Sequence, residues 1–127
     1  MADPAFLIDS NIFIYVLQDA QGPAASRLGE CMLGSAVTSM IVYAEVMRGF
    51  ATAGARGIVE VERLFGLIAP LPFDRKAADI YMRLPFRRAS FDRLIAAHAL
   101  SLDLTLVTNN ESDFRDIPDL RVENWAT

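Results

Sequence analysis

Three carboxylates in this chain stand where a carboxylate needs a reason. Asp9 ends the apolar run Ala5-Phe6-Leu7-Ile8. Read as a buried parallel strand, that run puts Asp9 at the rim of the crevice outside the strand's carboxyl end. The ordinary alternative is that Asp9 caps the helix that follows. Glu45 stands in Met40-Ile41-Val42-Tyr43-Ala44-Glu45-Val46-Met47, which is apolar almost all round. A helix of that kind is expected to be mostly buried, so Glu45 must be neutral, paired or bound to a cation. Arg48, three residues on, is its local pairing candidate. Asp92 falls in the first turn of a helix over Phe91 to Leu102, where the macrodipole favours an acid by about 0.3–1 kcal/mol.

Beyond the apolar run Leu104 to Val107, Thr108 and Asn110 can bring oxygen atoms to the same edge as Asp9, and Asp113 can reach back from the following turn. Each feature has a structural explanation of its own: a cap, an ion pair, a dipole contact, a solvated turn. Together they set acids behind separate apolar elements that can meet at one sheet edge. Carboxylates brought that close repel, and their pKa values rise unless a cation neutralises them. Mg2+ or Mn2+, which take carboxylate and water oxygens, are the matching cations. Such an ion activates water and steadies charge on a phosphoryl group, so phosphodiester chemistry is the expectation.

The elements that must position these acids are legible in outline. A strand ending at Asp9 leads to a helix from about Asn11 to Leu17. Gly22-Pro23 opens a second helix to about Leu33, closed by Gly34. Ser35 to Thr38 is a short strand. Ser39 caps a helix from Met40 to Arg48 with Gly49 as its stop, and another helix spans Ala55 to Phe65. Leu67 to Leu71 reads as a strand whose Pro70 prefers an edge. Asp74 caps a helix to about Leu84, which Pro85 breaks. Ser90 caps the helix Phe91 to Leu102, Leu104 to Val107 is a strand, and a last short strand lies near Arg121-Val122. The alternation predicts an α/β fold with right-handed crossovers and a mostly parallel sheet covered on both faces.

Composition narrows the class. The 127 residues suit one domain, 1–127, and 53% hydrophobic against 22% charged residues exclude disorder. The longest apolar runs, such as Ile12 to Leu17, are too short to cross a membrane. A mean hydropathy of +0.27 predicts a partner, either a second copy or another chain in a groove. Cys31 and His98 are the only residues of their types, which excludes an internal disulfide and the usual zinc sets. His98 shares the apolar stripe of Phe91, Leu94, Ile95 and Leu102 and reads as a hydrogen-bonded core or interface residue. No Ser or Cys has a convincing His partner, so covalent hydrolysis is poorly supported. Net charge is −4, and Lys76 is the single lysine beside eleven arginines; a basic coat for nucleic acid is absent. The early Asp3 without a basic stretch argues against a secretory leader, and a cytoplasmic location is expected.

The ordered set Leu7-Ile8-Asp9-Ser10-Asn11, Tyr43-Ala44-Glu45-Val46-Met47-Arg48-Gly49, Phe91-Asp92-Arg93-Leu94-Ile95-Ala96-Ala97-His98-Ala99, Leu106-Val107-Thr108-Asn109-Asn110 with Asp113-Phe114, and Leu120-Arg121-Val122-Glu123-Asn124-Trp125 closely resembles the PIN-domain ribonuclease toxins of the VapC type, nearly end to end. The resemblance implies a three-layer α/β/α sandwich around a mostly parallel sheet of four to five strands. It also implies a Mg2+- or Mn2+-dependent endoribonuclease, usually a homodimer, in the cytoplasm of a bacterium or archaeon. Such toxins pair with a small VapB-type antitoxin that folds over the active site and often inserts an Arg near the metal. The family's acids map to Asp9, Glu45 and Asp92. Its fourth position falls on Asn110, where relatives carry Asp or Asn, with Asp113 the nearest acid and a possible substitute. Ser10, Asn11 and Thr108 match polar positions that shape the pocket.

One departure is a shortened stretch from Arg83 to Ser90. With Arg83, Arg87, Arg88 and Arg93 close together, it reads either as a solvated connection or as a basic lip for RNA phosphates. Two rival readings stand beside the ribonuclease. A phosphoacceptor receiver has similar size and an acid at a strand end, but needs a lysine at a strand end, and Lys76 falls in a helix. A catalytically weak module that only binds nucleic acid or a partner draws support from Asn110 in place of an acid.

Overall fold

The computed structural model describes residues 1–51, 54–86 and 90–127, with residues 55 and 56 described by backbone alone. Five strands form its sheet: β1 (Phe6–Ile8), β2 (Ala36–Ser39), β3 (Pro70–Leu71), β4 (Thr105–Val107) and β5 (Val122–Glu123). Their spatial order is β3-β2-β1-β4-β5, and every neighbouring pair is parallel. Among the described residues, six α-helices connect them: α1 (Ser10–Gln18), α2 (Pro23–Gly29), α3 (Met40–Phe50), α4 (Gly54–Leu67), α5 (Arg75–Tyr81) and α6 (Phe91–Ser101). A 3-10 turn, Glu111–Phe114, lies between β4 and β5.

The register follows from apolar, β-branched strands. Leu7 pairs with Val37 on one side and Leu106 on the other, and these three are almost wholly buried. Strands so short hold together because both faces are covered, which is the rule for parallel sheets. Phe13 and Phe65 stack with ring centroids 4.7 Å apart, and Phe6 meets the buried Trp125 edge-on at 5.0 Å. Side-chain caps set the helix starts: Asp9 for α1, Ser39 for α3 and Asp74 for α5. Gly34 enters β2 with φ +95°, and a Cβ there would sit 2.7 Å from the Ala2 carbonyl oxygen. Only glycine meets both conditions.

Several expected boundaries move, each for a physical reason. Helix α2 stops at Gly29, and Met32 and Leu33 are left exposed at 71% and 61%. The chain must turn there, with Ser35 donating its amide to the Met32 carbonyl, to enter β2. Gly49 does not end α3, which runs on to Phe50; a glycine lowers helix propensity by only about 1 kcal/mol and needs a following irregular chain to act as a stop. Helix α4 absorbs Leu67, so the strand expected over Leu67 to Leu71 shrinks to Pro70–Leu71. That strand pairs only with β2, at the sheet edge where a proline is tolerated. Helix α5 ends at Tyr81 rather than near Leu84. Helix α3 is buried on one side only, at Val42 and Val46, with Met40 46% exposed. No helix among the described residues is long and apolar enough to cross a membrane.

The order 3-2-1-4-5 decides where a ligand goes. The chain winds outward from β1 through β2 to β3, then returns to lay β4 on the other side of β1. The crevice outside the carboxyl ends of β1 and β4 is therefore the topological switch point, where open α/β sheets bind ligands.

Candidate active site

Asp9 follows β1 at that switch point and is 5% exposed. Its backbone N–H donates to the Val107 carbonyl at 2.9 Å, tying the end of β1 to the end of β4. One carboxylate oxygen accepts the Ser10 amide at 2.7 Å, and the other accepts the Thr108 hydroxyl at 2.9 Å. Asp9 is thus a helix cap and a crevice residue at once, because the strand–helix junction puts both jobs at the same position. The Thr38 hydroxyl donates to the Ile8 carbonyl at 2.6 Å and fixes the neighbouring strand end. Ser39, wholly buried, caps α3 and so sets the direction from which Glu45 approaches. Asp92 enters from the first turn of α6.

The three acids share one electrostatic neighbourhood. Burial pushes the Asp9 carboxyl above its ordinary value, and the charge of Asp92 adds to that rise, against the bonds from Ser10 and Thr108. Glu45 is pushed up to about 7, first by burial and then by the charges of Asp9 and Asp92. The expected pair with Arg48 does not account for it: Glu45 Oε1 is buried with no hydrogen-bond partner. A buried, unpartnered carboxylate oxygen beside two further acids fits a hard divalent cation, which would neutralise all three. Among the described residues, no three His, Cys, Asp or Glu side chains are drawn together as a ready metal-binding group. The acids stand within electrostatic reach of one another rather than as a closed shell.

The residues that follow β4 reach the site by a different route. Thr108, wholly buried, gives its hydroxyl hydrogen to Asp9 and accepts the Asn110 amide at 3.1 Å. Asn110 donates its side-chain amide to Asp113. Asn110 and Asp113 therefore act as one unit, coupled to Asp9 through Thr108. Thr108→Val keeps the shape and removes the donor, so Mn2+ affinity is expected to fall about 10- to 100-fold. Calorimetric titration measures it; unchanged affinity would remove Thr108 from this role. Asn11 donates to Asn109 at 3.1 Å, and Asn109 donates to the Tyr15 hydroxyl at 2.8 Å. Asn109 and Tyr15, which brace the end of β4 against α1, were not singled out from sequence; the Asn109-Asn110 doublet was the available signal.

Residues 6–120 match the PIN-domain family. The chain belongs to this family. Ribonuclease VapC2 of Haemophilus influenzae (strain Rd) is 30% identical over 130 residues, which cover 95% of this chain and 98% of that protein. The tRNA(fMet)-specific endonuclease VapC of Shigella flexneri is 28% identical over the same shares of the two chains. The crystal structure of DNA-bound VapBC from Salmonella typhimurium superposes with a TM-score of 0.85 at 26% identity, covering 96% of this chain and 98% of that chain. The expected α/β/α PIN architecture is therefore the one observed.

Not every arginine expected at the basic lip of this PIN domain belongs there. Arg93 is withdrawn: its side chain is 6% exposed, and its Nη2 donates to both Asp116 oxygens at 2.8 and 3.0 Å. One residue past Asp92 on a helix is a rotation of about 100°, which turns Arg93 inward under the acidic turn while Asp92 faces the crevice. Arg83 is exposed just beyond α5, and Arg87 and Arg88 lie outside the described residues. His98 is buried as expected and packs edge-on against Phe73 at 5.5 Å, yet its Nδ1 has no hydrogen-bond partner. Lys76 stands exposed in the first turn of α5, not at a strand end, so a receiver would lack its lysine.

A cavity of about 520 Å³ opens beside the acids, lined by Glu45, Tyr81, Ser90, Phe91, Asp92 and Leu94. Phe91, expected on the apolar stripe of its helix, is instead 56% exposed at the mouth of this cavity. Tyr81 and Phe91 were not recognised from sequence as site residues, because a helical stripe of apolar side chains does not reveal which end of it is left uncovered.

Proposed function

We propose that this PIN-domain chain is a Mg2+- or Mn2+-dependent endoribonuclease, the toxin of a type II toxin–antitoxin pair. The observation that carries the reading is the convergence of Asp9, Glu45 and Asp92 from three separate elements on one neighbourhood, with a buried Glu45 oxygen left unpartnered. Divalent-metal dependence is general among PIN-domain ribonucleases. Asp9, Glu45 and Asp92 would hold the cation, with Asn110 or Asp113 completing the set through water. When bound, the cation supplies a Lewis acid for the phosphate and a lowered pKa for water. Thr108 holds Asp9 in one orientation and favours its charged form. Glu45 gives up its proton on cation binding, which links affinity to pH. Ser10 and Asn11 shape the floor of the crevice beside Asp9, and exposed Arg83 offers charge to RNA phosphates.

The partners follow from surface and kinship. The Salmonella structure is of VapBC bound to DNA, and a VapB-type antitoxin is the proposed partner of this chain. An apolar cavity of about 290 Å³, lined by residues including Leu28, Met32, Leu33, Leu64 and Leu67, gives such a chain a place to lie. A homodimer is proposed for the remaining exposed apolar surface, in which Met82 and Phe86 are 73% and 77% exposed. The test is digestion of total RNA by the purified chain. Cleavage in Mg2+ or Mn2+ that stops in EDTA is expected. RNA binding without cleavage would instead favour a binding module, the reading to which Asn110 lends support.

A further inference from the structure

The lining of the cavity beside the acids combines two chemistries: the carboxylates of Glu45 and Asp92, and the side chains of Tyr81, Phe91 and Leu94, together with Ser90. Phe13, Phe65 and Phe114 are buried, whereas the Phe91 ring stands 56% exposed one residue from an acid of the site. Tyr81 is the last residue of α5, Phe91 is the first of α6, and these two helices pack closely on each other. The Ser90 hydroxyl makes no capping bond to α6. The cavity's volume lies within the range, roughly 300–1,000 Å³, of pockets that hold one small organic group.

We propose that Phe91, in a cavity that Tyr81 also lines, is a stacking subsite for one unpaired nucleobase next to the scissile phosphate, with Ser90 offering a hydrogen bond to that nucleotide. The inference rests on the ribonuclease reading and deepens it by naming the side chain that would take the base beside the scissile bond. A phosphate held beside Glu45 and Asp92 would bring its nucleoside to a cavity that Phe91 also lines. An exposed aromatic face gains from a base laid on it whatever the base, since every base has a π-face. A duplex, whose bases are already stacked on one another, has no base to offer.

The experiment compares wild type, Phe91→Ala and Phe91→Trp on an RNA oligonucleotide that wild type cleaves, and on the same oligonucleotide with an abasic nucleotide beside the scissile bond. Phe91→Ala is expected to raise KM about tenfold or more with kcat within about twofold, and Phe91→Trp to restore KM. On the abasic RNA the Phe91→Ala effect should vanish, and Mn2+ affinity should be the same in all three proteins. An unchanged KM for Phe91→Ala, or an equal penalty on the abasic RNA, overturns the subsite and leaves the ribonuclease reading standing. A rise in KM that accompanies conversion of a dimer to a monomer in light scattering also overturns it and assigns Phe91 to an interface between copies. Absence of any RNA cleavage by wild type removes both readings together.

Discussion

Asp9→Asn is expected to lower RNA cleavage by at least about 100-fold, the scale on which even indirect partners of a metal site act, while the protein stays folded. The amide keeps one oxygen to accept the Ser10 amide, so the cap on α1 survives. Its NH2 can donate to Thr108, whose hydroxyl accepts as well as donates. What is lost is the second anionic oxygen and the negative charge. That charge is the part a divalent cation needs and the folded core does not: at 5% exposure, burial already holds the Asp9 carboxyl above its ordinary value. The metal-free variant should therefore melt no lower than metal-free wild type at neutral pH. Cleavage assays, growth after induction and thermal melts in EDTA give the three readouts. A folded Asp9→Asn protein that cleaves RNA at the wild-type rate would falsify the proposed metal site.

The second large effect is a separation of stability from activity at Glu45. Its carboxyl sits at about 7, against 4.5 as its ordinary value. For an acid raised by folding, the contribution to stability is fully present below the ordinary value and is lost as pH climbs through the raised one. Metal-free wild type should therefore lose stability between about pH 5 and pH 8. Glu45→Gln removes that ionisation, so its melting temperature should fall less over the same interval. Solvent screens the partly exposed Glu45, so the difference at pH 8 should be modest, about 2–5 °C in favour of the variant. Adding Mn2+ at pH 8 should raise the wild type and leave the variant nearly unmoved, while the variant's RNA cleavage falls about 100-fold or more. Parallel pH–melting curves for the two proteins would remove Glu45 from the acidic cluster.

Asp9 and Glu45 were legible as candidates because each interrupts or ends an apolar run, where an acid needs a cation, a proton or a partner, and Asp92 because the family resemblance maps an acid onto it. The α/β alternation was legible for a similar reason: helix caps and apolar runs act over a few residues, and Asp9, Ser39 and Asp74 cap as their positions predict. Arg93 was grouped with Arg83, Arg87 and Arg88 as a basic lip because it follows them by a few residues, whereas helix geometry turns it inward onto Asp116. The exposure of Phe91 was not legible, because periodicity reports which face of a helix is apolar, not how far along the helix that face is covered.

The sequence by itself determined the order of the elements, the caps at Asp9, Ser39 and Asp74, the list of acids and, through the order of its motifs, the family. Only the tertiary structure decided that β4 lies beside β1, which brings Thr108 onto Asp9 across 99 positions of chain. It also decided that Glu45 keeps an unpartnered oxygen in place of an Arg48 pair, and that an exposed ring stands at the acids' edge. The division has a physical origin. Capping and periodicity are local free energies readable within one turn of helix or strand. Burial, desolvation and mutual repulsion depend on how far apart groups lie in space, and that distance exists only once the sheet has closed.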